Sequence, residues 1–215
     1  MKIIRNLKNK INDYEIIKNL PEYIEKNYKE AEVLANVSLK LDNFTQMDFK
    51  NQKNNCTLTS ILRVLMYNID KFQVLPESKE VLYEDIYKSG KKYFFNEAFG
   101  TMPIMISNIV KDVFKEYKVK GKVRGHYLGN FYRPIKSELD KRRPLIMNIV
   151  FGAYKNHSIT ISGYIILNYR GMKIKILEVM DNWSSQKRFL DYTRFSHSIN
   201  SFNTFSLNTI EINWN

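Results

Sequence analysis

The stretch that decides the fold is "QKNNCTLTSILRVLMYN", residues 52–68. It contains the only cysteine of the 215-residue chain, Cys56, followed at once by apolar residues at helical spacing. The spacing predicts a helix over residues 57–67. The apolar face of this helix comprises Leu58, Ile61, Leu62, Leu65 and Met66. Cys56 is therefore either a small buried hydrophobic residue or a nucleophile at a helix N-terminus.

The position of Cys56 at the start of the helix favours a reactive thiol over a structural one. Asn54 or Asn55 can cap the first turn. Unpaired N–H groups and the helix dipole at that end stabilise a thiolate relative to a thiol. The backbone N–H of Cys56 also points to where an oxyanion could form. A buried structural cysteine is the alternative interpretation.

Charge and cysteine content argue against a nucleic-acid partner, a disulfide and a bound metal. The net charge is +12, but Lys and Arg are spread along the chain among Asp and Glu, so we expect a solvated surface and no nucleic-acid partner. One cysteine excludes an intramolecular disulfide and a Cys-rich zinc site. No His, Asp and Glu spacing suggests ligands for a metal, so neither a metal nor another cofactor is expected.

Hydropathy gives no targeting or membrane signal. No stretch approaches the ~18 consecutive apolar residues of a membrane span. The N-terminus, "MKIIRNLKNKINDYE", is basic but lacks the apolar core of a secretory signal. These features predict a cytoplasmic protein, with export left open. The abundance of Asn, Lys, Ile and Tyr resembles that of an AT-rich bacterial genome.

Periodicity changes from helical to strand-like along the chain. Helices are predicted at residues 21–36, 57–67, 77–90 and 103–117. In the second half, strands are predicted at residues 122–128, 144–154, 157–169, 172–181 and 204–214, with helices at 133–143 and 188–199. Arg170-Gly171 marks a hairpin. The fold class is thus α+β, with a helical extension over residues 1–38, a helical lobe over about 39–120 and a mostly antiparallel β lobe over about 121–215.

Two polar residues of the β lobe can complete a reactive site with Cys56. His157 opens a strand of small and β-branched residues, so its ring can stand at the rim of the sheet. Asp181 ends the strand that pairs with the His157 strand, where a carboxylate can accept a hydrogen bond from the ring nitrogen that faces away from the thiol. Trp183 can cover that bond. His126 and His197 lack such flanking residues, and we expect both to be surface histidines.

The order of these features resembles the papain-like cysteine peptidases, and in particular the compact bacterial branch of double-glycine-leader (bacteriocin-processing) peptidase domains. The matching segments are "QKNNCTLTSILRVL", "LDKRRPLIMNIV", "KNHSITISGY" and "DNW", within residues 40–200. The resemblance implies a papain-like fold, a catalytic triad of Cys56, His157 and Asp181, and supporting roles for Asn182 and Trp183.

The chain departs from the pattern of that superfamily at two positions. The glutamine that forms the oxyanion hole usually precedes the cysteine by about six residues, where this chain has Lys50. Gln52 is the nearest glutamine and is assigned provisionally to the oxyanion hole. Thr57 stands where a glycine usually follows the cysteine, and its side chain is expected to narrow the site.

The resemblance implies a thiol-dependent hydrolase, a cysteine peptidase that cleaves a peptide or isopeptide bond through an acyl-enzyme on Cys56. Its partner is then a peptide or protein substrate. A cysteine acyltransferase or amidohydrolase of the same fold is one alternative. A catalytically silent peptide-binding module is another.

Overall fold

A computed structural model describes residues 13–49, 52–72, 78–197 and 204–212. Its helices are α1 (Leu20–Asn27), α2 (Cys56–Phe72), α3 (Lys79–Lys92), α4 (Ile106–Glu116), α5 (Tyr132–Asp140) and α6 (Tyr192–His197). Its strands are β1 (Glu32–Ser38), β2 (Gly121–His126), β3 (Leu145–Ile149), β4 (His157–Tyr169), β5 (Met172–Met180), β6 (Arg188–Asp191) and β7 (Thr204–Ile212). Short 3₁₀ turns lie at Gln46–Asp48 and Pro103–Met105.

The strands form one antiparallel sheet in the order β2-β7-β3-β4-β5-β6, and β1 adds to β4. Strand β4 is long enough to take two neighbours on one edge: residues 157–161 pair with β3 and residues 163–168 pair with β1. Along the sequence, helices α2, α3 and α4 come before every strand of this sheet except β1. The α+β class, with a mostly antiparallel sheet, is therefore confirmed.

Helix α2 is stabilised because its apolar face is buried in the hydrophobic core. Leu58, Ile61, Leu62 and Leu65 are fully buried among residues of α3 and α4. Four side chains of this size at the same helix face stabilise the packing by several kcal/mol, at ~1.5–3 kcal/mol for each one buried. The helix predicted from the apolar spacing is present and begins at Cys56.

The hairpin that brings β5 beside β4 is also as predicted. Tyr169 pairs with Met172, and the two turn residues have positive φ, 52° at Arg170 and 79° at Gly171. Two positive φ angles characterise the turn whose twist matches that of the flanking strands. This hairpin fixes where the end of β5 meets the start of β4.

The helix predicted over residues 21–36 is half wrong. Helix α1 ends at Asn27, and Glu30 follows with a φ of 66°, a left-handed conformation that no helix interior accommodates. The chain then continues as β1, whose backbone pairs with Ile165–Asn168 and neighbouring residues of β4. Pairing with the sheet overrides the helical propensity of these residues.

The helix predicted over residues 188–199 is wrong at its start. Arg188–Asp191 form β6, which pairs with β5 and, through Phe189, with Ile17. Only Tyr192–His197 are helical, and residues 198–203 lie outside the described residues. Within the described part of the chain, no helix is long and apolar enough to cross a membrane.

Candidate active site

The first residue of α2 and the first residue of β4 meet. The thiol of Cys56 lies beside the imidazole of His157, close enough for each group to shift the pKa of the other, and the Ser158 N–H and the Thr57 hydroxyl also lie near the sulfur. Cys56 is 9% exposed and His157 is 6% exposed. The sulfur and the ring thus lie side by side in a largely desolvated position, where charges interact strongly.

The surroundings shift the two pKa values in opposite directions. Burial raises the pKa of the Cys56 thiol, but the hydrogen bond and charge of His157, with the Ser158 N–H, outweigh burial and lower it. Burial lowers the pKa of His157, but the bond and charge of Cys56 and the main chain of Asp181 outweigh burial and raise it. Both shifts favour a thiolate paired with an imidazolium.

The ring of His157 is held from its other side by Asp181. Nε2 of His157 lies 2.6 Å from the main-chain oxygen of Asp181 and donates to it, which leaves Nδ1 for the thiol. We expected the carboxylate of Asp181 to accept this hydrogen bond, and that expectation is wrong, because the acceptor is the main-chain oxygen. The residue is the predicted one, but its carbonyl group makes the contact.

The carboxylate of Asp181 is engaged within its own turn. Oδ1 accepts from the N–H groups of Trp183 at 3.1 Å and Ser184 at 3.0 Å, and Oδ2 lies 3.9 Å from Nε of Arg188. Because the negative charge is nearby, it still contributes to the raised pKa of His157. Asp181 thus orients the ring by its carbonyl and stabilises the imidazolium by its charge.

Two aromatic rings pack around the imidazole. The ring of Trp183 stacks on that of His157 with centroids 4.2 Å apart, and 46% of Trp183 remains exposed. The ring of Tyr154 lies 5.3 Å from Trp183 and 6.0 Å from His157. Trp183 therefore covers the imidazole, as expected, and its free area borders the reactive pair.

Asn182 joins the two halves of the site. Its Nδ2 lies 3.0 Å from the carbonyl oxygen of Cys56, 2.8 Å from Oγ of Ser60 and 2.8 Å from the carbonyl oxygen of Ser158. Its backbone φ is 65°, a conformation that Asn tolerates better than most residues. The supporting residue predicted here thus links the cysteine helix to the histidine strand.

Arg63 was not identified from the sequence. It is fully buried in α2 and donates to Oδ1 of Asn182 and to the carbonyl oxygen of Phe44. Burial lowers its pKa to about 10, opposed by the charges of Asp181, Asp42 and Asp48. A buried arginine within an apolar helix requires polar partners, so its occurrence between Leu62 and Val64 was the available signal.

Two glutamines, Gln46 and Gln52, lie in the segment before Cys56. Nε2 of Gln52, the predicted residue, donates to the carbonyl oxygen of Met47 at 2.9 Å on the surface. Gln46 lies deeper: its N–H donates to Asn182 O at 2.9 Å, and its carbonyl accepts from Nδ2 of Asn55 at 3.1 Å. Gln46 is therefore tied to the neighbours of both Asp181 and Cys56. Lys50 lies outside the described residues.

Thr57 enters the interface between helix and sheet. It is buried, and its hydroxyl lies 2.8 Å from the hydroxyl of Ser158. Ser158 in turn donates to Oδ1 of Asn148 at 2.7 Å. The side chain that was expected to narrow the site instead bonds the cysteine helix to β4 and contributes to the lowered pKa of the thiol.

A residue near the N-terminus holds the loop before His157. Oε2 of the buried Glu15 accepts from the Ala153 N–H at 2.6 Å, and a Cβ at Gly152 would lie 2.3 Å from the same oxygen. Burial raises the pKa of Glu15. The carboxylate thus packs against a glycine in the loop that carries Tyr154.

His126, the other histidine whose side chain the structure describes, lies away from the pair. His126 ends β2, which β7 and β3 separate from β4. His197 ends α6, and its side chain lies outside the described part. Across the described residues, no three His, Cys, Asp or Glu side chains converge as metal ligands.

Comparison with protein-family models matches residues 38–207 to the model described as "Peptidase_C39 like family". The match covers α2, β4 and the Asp181 turn together. A search of the curated proteins found no match. With most of its length matched, including the segments that carry Cys56 and His157, the chain belongs to the Peptidase_C39-like family of cysteine peptidases.

Proposed function

We propose that this protein is a cysteine peptidase that cleaves a peptide or isopeptide bond through an acyl-enzyme on Cys56. The observation that carries the proposal is the position of the Cys56 thiol, at the start of α2, beside the His157 imidazole, at the start of β4 and held by the Asp181 carbonyl, where the pKa of the thiol is lowered and that of the ring is raised. A thiolate is the form of cysteine that attacks an acyl carbon.

The reaction then proceeds in two halves. The Cys56 thiolate attacks the carbonyl carbon, and collapse of the tetrahedral intermediate breaks the C–N bond while His157 gives its proton to the leaving amine. In the second half, His157 takes a proton from water, the hydroxide attacks the thioester, and the C–S bond breaks. Asp181 holds the ring through its carbonyl oxygen during both transfers.

The oxyanion is stabilised at the N-terminus of α2. The N–H groups of the first helical turn have no partner in a preceding turn, and the dipole adds positive potential there. Cys56, as the first residue of α2, offers its own N–H. Gln46 is the favoured second donor because its backbone is fixed to Asn182 and Asn55, whereas the amide of Gln52 is bonded to Met47.

Two matched variants separate the glutamines. With p-nitrophenyl acetate as the acyl donor, Gln46→Ala is expected to lower the acylation rate by about 10²–10³, the usual effect of losing one oxyanion donor. Gln52→Ala should leave the rate close to wild type. The opposite order would assign the role to Gln52, as predicted from the sequence.

Peptidase activity itself is tested with a mixture of synthetic peptides and the full chain. Mass spectrometry should show new free carboxyl termini with wild type and none with Cys56→Ser. Added glycinamide distinguishes the alternative function, since an acyltransferase would give amide products in place of acids. Intact peptides under all conditions, with Cys56 unreactive towards p-nitrophenyl acetate, would contradict both enzymatic hypotheses and favour a silent binding module.

A further inference from the structure

The carboxamide of Asn182 bonds the main chain of both the nucleophile's residue and the residue after the base. Its Nδ2 lies 3.0 Å from Cys56 O and 2.8 Å from Ser158 O. The carbonyl of the preceding residue, Asp181, accepts the bond from His157. A rotation of this amide would therefore disturb the Cys56 and His157 segments at the same time.

Arg63 determines which way the amide faces. A guanidinium has only donors, so the atom of Asn182 that meets it has to be the oxygen. That leaves the NH₂ group to face the oxygens of Cys56 and Ser158, which are acceptors. A neutral apolar side chain at position 63 would leave Oδ1 without this donor, so that only the acceptors on the NH₂ side would still orient the amide.

Arg63 is itself held rigidly. It donates to the carbonyl of Phe44, lies 3.3 Å from that of Asp42 and 3.4 Å from Oγ1 of Thr160, and its guanidinium lies 4.5 Å from the centroid of the Phe44 ring. A planar guanidinium group that is bonded to several fixed partners has little rotational freedom. The orientation of Asn182 is thereby tied to the segment before α2 and to β4.

We propose that Arg63 is a positioning residue for the Cys56–His157 pair: it fixes the amide of Asn182 and so keeps the Asp181 carbonyl on Nε2 of His157. The proposal rests on the proposed function of this pair. Arg63 does not touch a reacting atom. Its effect passes through Asn182, one residue from the carbonyl that orients the ring.

The test compares Arg63→Met with Leu62→Ala in the full chain. Leu62 is the neighbouring residue, is fully buried and packs in the apolar cluster that α2 forms with α3 and α4. For each protein, the rate of Cys56 alkylation by iodoacetamide is measured against pH and corrected for the folded fraction. A positioning role predicts that Arg63→Met moves the inflection up by about one pH unit, because the thiolate loses an ordered imidazolium. Leu62→Ala should keep the wild-type inflection.

A second substitution keeps the proposal testable if Arg63→Met does not fold. Arg63→Lys retains the charge but cannot hold Asn182, Phe44 and Thr160 with one planar fork. Its inflection should lie between those of wild type and His157→Gln. A wild-type inflection in the folded arginine variants would overturn the role of Arg63 alone. An inflection in wild type at the pH of an ordinary thiol would instead contradict the proposed function.

Discussion

The two sides of helix α2 are built from different chemistry. One side buries Leu58, Ile61, Leu62 and Leu65 against α3 and α4. The other side meets β4 and the Asp181 turn through hydrogen bonds from Thr57, Ser60 and Arg63. Apolar contacts are tolerant of small shifts, whereas hydrogen bonds are sensitive to distance and angle. We infer that the apolar side holds the helix in the protein and the polar side sets where Cys56 stands relative to His157.

The largest loss of activity is expected from a substitution of His157, the residue that Cys56 meets on the polar side of α2. His157→Gln should reduce acylation of Cys56 by p-nitrophenyl acetate about 10²–10⁴-fold, because the general acid–base group is lost. Stopped-flow release of p-nitrophenolate measures this, and circular dichroism checks the fold. A folded variant that reacts at the wild-type rate would contradict the role of His157 as the acid–base group for Cys56.

The apolar side should behave in the opposite way. Leu62→Ala removes a fully buried side chain and should lower the free energy of unfolding by about 2–5 kcal/mol. The acylation rate for each folded molecule should stay near that of wild type. Urea unfolding gives the first quantity. A large loss of rate in the folded fraction would mean that the apolar packing also sets the geometry of the site.

The smallest effect on stability is expected at Thr57, because its partner Ser158 keeps another hydrogen bond when the Thr57 hydroxyl is removed. Thr57→Val removes the bond to Ser158, but the Ser158 hydroxyl still donates to Asn148. The loss should be about 0.5–1.5 kcal/mol of unfolding free energy. The pKa of Cys56 should rise slightly, because Thr57 helps to lower it. Urea unfolding and alkylation against pH measure the two effects, and a lowered pKa would contradict this account of Thr57.

Local patterns predicted the elements that carry the site. The apolar spacing of α2 and the Arg170-Gly171 turn are properties of adjacent residues, so they are visible in the chain alone. Strands β1 and β6 were missed because each depends on a partner elsewhere in the sequence: β1 on β4 and β6 on β5. Pairing with a distant strand leaves little trace in local composition.

The site was predicted at the level of residues and less well at the level of atoms. Cys56 and His157 lie together, but Asp181 contacts the ring through its carbonyl oxygen, while its carboxylate accepts from the N–H groups of Trp183 and Ser184. Gln46 lies ten residues before Cys56, beyond the usual spacing. Arg63 stands between two apolar residues of a mainly apolar helix, and only the folded arrangement places its partners around it.

The most direct measurement of the central claim is an ultraviolet titration of the thiolate in the full chain. Since Cys56 is the only cysteine, subtracting the titration of Cys56→Ser removes the contribution of the 14 tyrosines and leaves the absorbance of the Cys56 thiolate. The account predicts a thiolate that persists well below the pH at which an ordinary thiol (pKa ≈ 8.5) ionises. In His157→Gln the transition should move above that pH, because burial then acts without the imidazolium. Equal transitions in the two proteins, both at the ordinary thiol value, would contradict the account.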